Sequence, residues 1–178
     1  IGVSEDFARS NIWIAQNGFD PSECSLLALD NLDSQTSSLS IQFEKTGDGS
    51  HLFCPEDKVL SAIEASVSCV DWLEFNGLDG DLKLTNVDSP LLVVSALGAN
   101  QCTGIQVSWT DKSNNHYEVN LKDDIEWEII SSSDTPIELS NYADIHISAF
   151  DVNNKTSISN GKLKILNIAE ERLKTLNN

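Results

Sequence analysis

The sequence predicts an α+β fold, with a largely antiparallel β-sheet and helices at the N-terminus, in the middle and at the C-terminus of one domain, 1–178. Three observations predict it. Apolar residues recur at three- and four-residue steps in well-separated stretches, as on one face of a helix. Between 78 and 160, runs of alternating apolar and polar residues follow one another, as in half-buried strands. Short turn sequences such as "DKSNN" separate some of these runs, which makes their neighbours antiparallel.

The first helix is expected from Glu5 to Asn17. Ser4 can cap it, Glu5 and Asp6 sit at its positive end, and Gly18 suits a left-handed exit. On a helical wheel Phe7, Ala8, Ile12, Ile14 and Ala15 form one apolar arc, the expected core face. Asn11 falls inside that arc as a buried amide that needs partners. Trp13 falls about 100° beyond its edge, between Arg9 and Asp6. A second helix, "PSECSLLALDNL", starts at Pro21 and Ser22 and turns Leu26, Leu27 and Leu29 inward.

A short strand, "LSIQFE", places Leu39, Ile41 and Phe43 on one face; "KTGDGS" is a turn, and "HLFC" returns as a hairpin. The longest helical pattern runs from Pro55 to Phe75, with Leu60, Ile63, Val67 and Val70 in step and Gly77 beyond its end. Its "SVSCV" stretch is a place where it can break. "DLKLT" is a short strand, and "PLLVVSALG" reads as a strand covered on both faces. "TGIQVSWT", "HYEVNLK" and "IEWEII" alternate, with Ile105, Val107 and Trp109 on one face and Ile125, Trp127 and Ile129 on another. "ADIHISAF" and "KTSIS" form a further pair, and "KLKILNIAEERLKTL" closes the chain as an amphipathic helix.

A net charge of −17 repels phosphate backbones and anionic lipid, so neither nucleic acid nor membrane is an expected partner. The four cysteines show no C-x-x-C or histidine pairing, so no zinc site is expected, and they are read as reduced, buried thiols of a cytoplasmic protein. The chain starts at Ile1 and holds no methionine, and its ends are expected to be trimmed. No cofactor is expected either, because phosphate-binding, nucleotide-binding, serine-hydrolase and zinc-protease motifs are missing from the sequence.

His51, His116 and His146 are candidates for a base or ligand, but His116 and His146 read as ordinary exposed strand residues. Asp48, Asp79 and Asp81 stand beside glycines without the ligand ladder of a calcium loop and read as turns. The sequon "NKT" at Asn154 is a pattern frequent by chance. Trp109 and Trp127 could stack on sugars if exposed, but their apolar neighbours place them in the core.

The stretch "GVSEDFARSNIWIAQNGFD" resembles the N-terminal signature of the bacterial domain-of-unknown-function family 3726, through Gly2, Glu5, Asp6, Ala8, Arg9, Trp13 and Gly18. "VDSPLLVVSALG" and "LNIAEERLKTLNN" are similar to further segments of that family. The resemblance implies a bacterial source and no particular activity.

Three functional expectations follow. The first is a non-catalytic binding or assembly domain, homo-oligomeric or with a protein partner, in which the displaced Trp13 lies at an interface. The second is an enzyme or small-ligand accessory protein with a pocket between the N-terminal helix and the sheet, where Glu5, Asp6, Arg9 and Asn11 supply polar groups. The third is an extracellular module binding sugar or calcium. Glu5, Asp6, Arg9, Asn11 and Trp13 are therefore the ligand or interface candidates.

Overall fold

A computed structural model of the chain describes residues 3–47, 49–55, 58–77, 80–112, 114–122 and 142–150, and the backbone of 126–130. The fold is α+β. Among the described residues four helices, α1 (Val3–Gln16), α2 (Pro21–Asp33), α3 (Ala62–Asn76) and α4 (Pro90–Ala99), accompany nine strands. The strands are β1 (Ser37–Ser38), β2 (Gln42–Lys45), β3 (Gly49–Phe53), β4 (Val59–Leu60), β5 (Asp81–Val87), β6 (Ile105–Thr110), β7 (His116–Leu121), β8 (Glu126–Ile130) and β9 (Ala143–Ala149). No helix among the described residues is long and apolar enough to cross a membrane. The expected strand "KTSIS", the sequon and the closing helix lie outside the described residues, as do Asp48 and Asp79 and the side chains of Ile125, Trp127 and Ile129.

One sheet runs in the order β1-β4-β5-β9-β6-β7-β8, with the β2–β3 hairpin joined to it through β3 and β5. It is mixed. Pairings β1–β4, β3–β5 and β4–β5 are parallel, while β5–β9, β9–β6, β6–β7 and β7–β8 are antiparallel. The parallel part exists because α3 lies between β4 and β5 as a crossover, whereas tight turns such as 111–115 make hairpins. Alternation is clean in the antiparallel part. Ile105, Val107 and Trp109, Tyr117, Val119 and Leu121, and Ala143, Ile145 and Ile147 are buried, while Lys83, Thr110 and His146 face out.

The segment "PLLVVSALG" is a helix and not a strand. Every residue from Pro90 to Leu97 is buried, so α4 has no polar face to reveal a period. A helix apolar all round is a core helix, and α1 and α3 both pack on this one. Ser89 followed by Pro90 is its start signal.

The helix expected from Pro55 begins only at Ala62, because Val59 and Leu60 are drawn into the sheet between Ser37–Ser38 and Val87. From there α3 runs unbroken through its serines to Gly77, which takes a left-handed φ of 65°. The strand expected at Leu39–Glu44 starts at Gln42 and lies wholly exposed, with Leu39 and Phe43 outside the core and Ile41 packed on it. In α2, capped by Asp20 with Pro21 next, Cys24, Ser25, Ala28 and Asn31 are buried, and Leu26 and Leu29 are exposed. That helix presents its small residues inward, against α1 and β1.

Candidate functional site

Helix α1 starts at Val3, so Ser4 lies inside it rather than capping it. Its buried stripe is Ser10, Trp13 and Ile14, with Phe7 packed beside them, whereas Ala8, Ile12 and Ala15 are exposed. The core face is thus rotated from the apolar arc toward Trp13. The indole decides the orientation, since it has far more apolar surface to bury than two alanines. Trp13 is 7 % exposed within its own chain, against Gly98 of α4, and this removes the main support for placing it at an interface.

The five sequence candidates go to four different places. Asp6 and Arg9, one helical turn apart, line a groove and pair with each other there, Arg9 Nη2 donating to Asp6 Oδ1. Glu5 is exposed on α1 and does not line it. Asn11 is half-buried and satisfied, its Nδ2 donating to the Phe7 carbonyl at 2.8 Å and its Oδ1 accepting from Ser25 Oγ at 2.5 Å. It therefore ties α1 to α2. Trp13 belongs to the core.

The groove has a volume of about 210 Å³ and lies between α1, α3 and α4, not between α1 and the sheet. Phe7, Ile63, Val67, Val70, Leu92 and Ala96 give it an apolar floor. Asp6 and Arg9 stand on one side, and Asp71 and Glu74, three apart on α3, on the other. Two hydroxyls in the wall are turned back onto their own helices, Ser10 Oγ to the Asp6 carbonyl at 3.0 Å and Ser66 Oγ to the Ala62 carbonyl at 2.5 Å. Among the described residues neither a histidine nor a cysteine lines the groove. The α3 carboxylates were not legible as partners of α1, since nothing in a single sequence says which helices face one another.

The histidines lie elsewhere. His51 Nε2 meets Thr85 Oγ1 at 2.7 Å, His116 Nδ1 meets Thr110 Oγ1 at 3.1 Å, and His146 Nε2 meets Asp81 Oδ2 at 3.1 Å. His146 is exposed and His116 partly so, as ordinary strand residues are. Among the described residues no group of three acidic, histidine or cysteine side chains could hold a metal. Trp109 is buried and stacked on Tyr117, with centroids 4.9 Å apart, so it offers no face to a sugar. All four cysteines are free thiols; Cys24, Cys54 and Cys69 are buried and Cys102 half-buried.

A second polar locus gave no signal as a site in the sequence. Asp88, fully buried, follows β5 and accepts the Ala62 amide on Oδ1 at 2.8 Å. It caps α3 from a neighbouring strand, because Ser61, at the N-cap position, makes no side-chain bond. Burial pushes its carboxyl up to about 6, and the Ala62 amide and the nearby Ser37 and Asn31 side chains oppose that rise. Cys24 on α2, near Ser89, is likewise pushed up by burial. The only sequence clue was Asp-Ser-Pro ahead of an apolar run, a helix-start pattern. Compared with protein-family models, with curated proteins and with solved structures, the chain matches none.

Proposed function

We propose that this chain is a binding domain whose groove between α1, α3 and α4 takes a small amphipathic organic cation, an aliphatic amine or guanidine. The observation that carries this reading is the charge around an apolar floor. Asp6, Asp71 and Glu74 place three carboxylates on the groove against one guanidinium, and Arg9 is already paired with Asp6. Among the described residues no cation pairs with Asp71 or Glu74. A volume of about 210 Å³ lies below the span usual for drug-sized ligands and suits a short alkyl chain with one charged end. The resemblance to family 3726 is part of the proposal as a bacterial affiliation and adds no substrate.

Thermal shift and calorimetry with short alkylamines, alkylguanidines and carboxylates of matched length test it. A rise in Tm with amines that is absent in Glu74→Gln supports the reading, through the usual dependence of stability on ligand occupancy. Equal shifts with carboxylates, or none with any amine, sink it.

A second reading, self-association, rests on a separate observation. Ile12 on α1 and Leu26 on α2 are 58 % and 59 % exposed on two helices joined by the Asn11–Ser25 bond. A second copy meeting the same patch about a two-fold axis would cover them. Light scattering of wild type and Leu26→Glu decides it. A wild-type monomer ends this reading and leaves the groove untouched.

A further inference from the structure

The charge of this chain is unevenly divided. Residues 1–150 carry six lysines and arginines against 25 acidic residues, a net −19, while 151–178 carry five against three, a net +2. Up to Lys155 every two successive cations have an acidic residue between them, whereas Lys155, Lys162 and Lys164 have none. Apolar residues adjoin the last two, in the run "KLKIL" from Lys162 to Leu166. These are properties of the sequence alone, since 151–178 lie outside the described residues.

The described part of the chain ends near the groove between α1, α3 and α4. The Phe150 amide donates to the Gly104 carbonyl at 2.8 Å, and Gly104 stands four residues along the chain from Asn100 in the groove wall. Between those two, the Cys102 thiol is pushed up by burial and by the Glu74 carboxylate, which sets Glu74 at this same end of the groove. Four residues span at most about 14 Å, and the twelve from Phe150 to Lys162 at most about 43 Å. Reach is therefore ample.

A lysine side chain is itself an alkylamine, an apolar stem with a charged end. Phe7, Val67, Val70, Leu92 and Ala96 suit the stem, and Asp71 and Glu74, paired with no cation among the described residues, suit the ammonium. We infer that the cation this groove holds is a lysine of the same chain, Lys162 or Lys164, and that residues 151–178 regulate the groove by occupying it. The inference rests on the reading of the groove as a cation site. These two lysines are preferred to Lys155 because apolar residues flank them, and Val3 on the groove lining leaves apolar surface exposed. A tethered side chain meets its site at an effective concentration on the order of millimolar, so a contact too weak to hold a free amine is still made. A free amine or guanidine then binds by displacing it.

Carbodiimide cross-linking of the full chain tests it, because the reagent joins a carboxylate to an amine only where the two are in contact. Unlabelled and isotope-labelled chains are mixed, and the cross-linked peptides are read by mass spectrometry. The expected product joins Asp71 or Glu74 to Lys162 or Lys164 within one isotope class, and Glu74→Gln removes the Glu74 product. Absence of the product while other lysines cross-link overturns the inference, and so does its formation between the two isotope classes. Calorimetry with an alkylguanidine gives the second readout. Lys162→Gln combined with Lys164→Gln frees the groove, and affinity should rise about two- to ten-fold, a gain that a misfolded variant does not produce. Equal affinity in wild type and double variant overturns the inference and leaves the groove as a cation site. No binding in either, without the cross-link, overturns the groove reading as well.

Discussion

The six-membered ring of the Trp13 indole lies where a side chain on Gly98 would have to be: a Cβ there would stand 2.2 Å from Trp13 Cε2 and 2.4 Å from Cζ2. Helix α1 can approach α4 this closely only because position 98 is bare. Gly98→Ala sets two effects against each other. Alanine favours a helix interior over glycine by about 1 kcal/mol, while forcing a methyl into a packed contact costs about 1–3 kcal/mol. The obstruction is a buried ring with nowhere to retreat, so the second effect wins and the variant is less stable. Trp13→Ala is expected to lose about 3–5 kcal/mol, as large aromatic truncations do. Denaturant unfolding of both single variants and of the double variant checks the pairing. The double variant should be no worse than Trp13→Ala, because the clash is gone once the ring is gone.

Asp88 makes stability depend on pH in an unusual direction. Its folded pKa of about 6 is raised above the ordinary 3.8 by burial, so the folded chain binds a proton that the unfolded chain has released. Stability from this group is therefore complete below about pH 4, declines as pH rises through 6, and stays lower above it. Two pKa units correspond to about 3 kcal/mol at most. The neighbouring Cys24 thiol, raised by burial, stays protonated throughout that window. Asp88→Asn keeps an acceptor for the Ala62 amide but does not titrate. The stability difference, wild type minus Asp88→Asn, should grow as pH falls from 7 to 4. A flat difference would show that Asp88 does not take up a proton on folding.

Helix ends and hairpins were legible because their signals are local. Pro21, Gly18 and Gly77 mark boundaries through backbone chemistry alone, and the 111–115 turn sets the β6–β7 register. The α4 segment was not legible as a helix, since a fully buried helix and a fully buried strand share one apolar pattern. Nor was the choice between the Ala8–Ile12–Ala15 and Ser10–Trp13 faces of α1. The indole makes that choice, and the place it packs against, the bare Gly98, is more than eighty residues away. The candidate site divides in the same way. Asp6 and Arg9 stand out as a charged pair on one helix, while Asp71, Glu74 and Asp88 acquire meaning only when distant elements meet.

Tyr117 is fully buried, and its hydroxyl donates to Asp111 Oδ2 at 2.9 Å; Asn115 Nδ2 donates to the same oxygen at 2.8 Å and the Asn115 amide to Oδ1 at 2.9 Å. This cluster closes the β6–β7 turn. Tyr117→Phe keeps the stack on Trp109 and removes one donor from a buried carboxylate. Hydrogen bonds to charged groups contribute about 1.5–3 kcal/mol, so a loss of that size is expected by denaturant unfolding. Near-ultraviolet circular dichroism should retain the Trp109 signal, which separates loss of the bond from loss of the hairpin.

Arg9 gives the groove reading a prediction opposite to the intuitive one. Its guanidinium is the one cation on the groove wall among the described residues, and a ligand acid would be expected to use it. The pair with Asp6 is between half-exposed side chains and contributes little to stability, so Arg9→Gln should fold normally. It changes the charge of the wall from −3 + 1 = −2 to −3. Affinity for an alkylguanidine should rise a few-fold in Arg9→Gln and fall in Asp71→Asn and Glu74→Gln, and each difference should shrink with added salt. Calorimetric titration at two ionic strengths measures this directly. A loss of affinity in Arg9→Gln would mean that the guanidinium itself contacts the ligand, and the groove would then have to be read as a site for an anion.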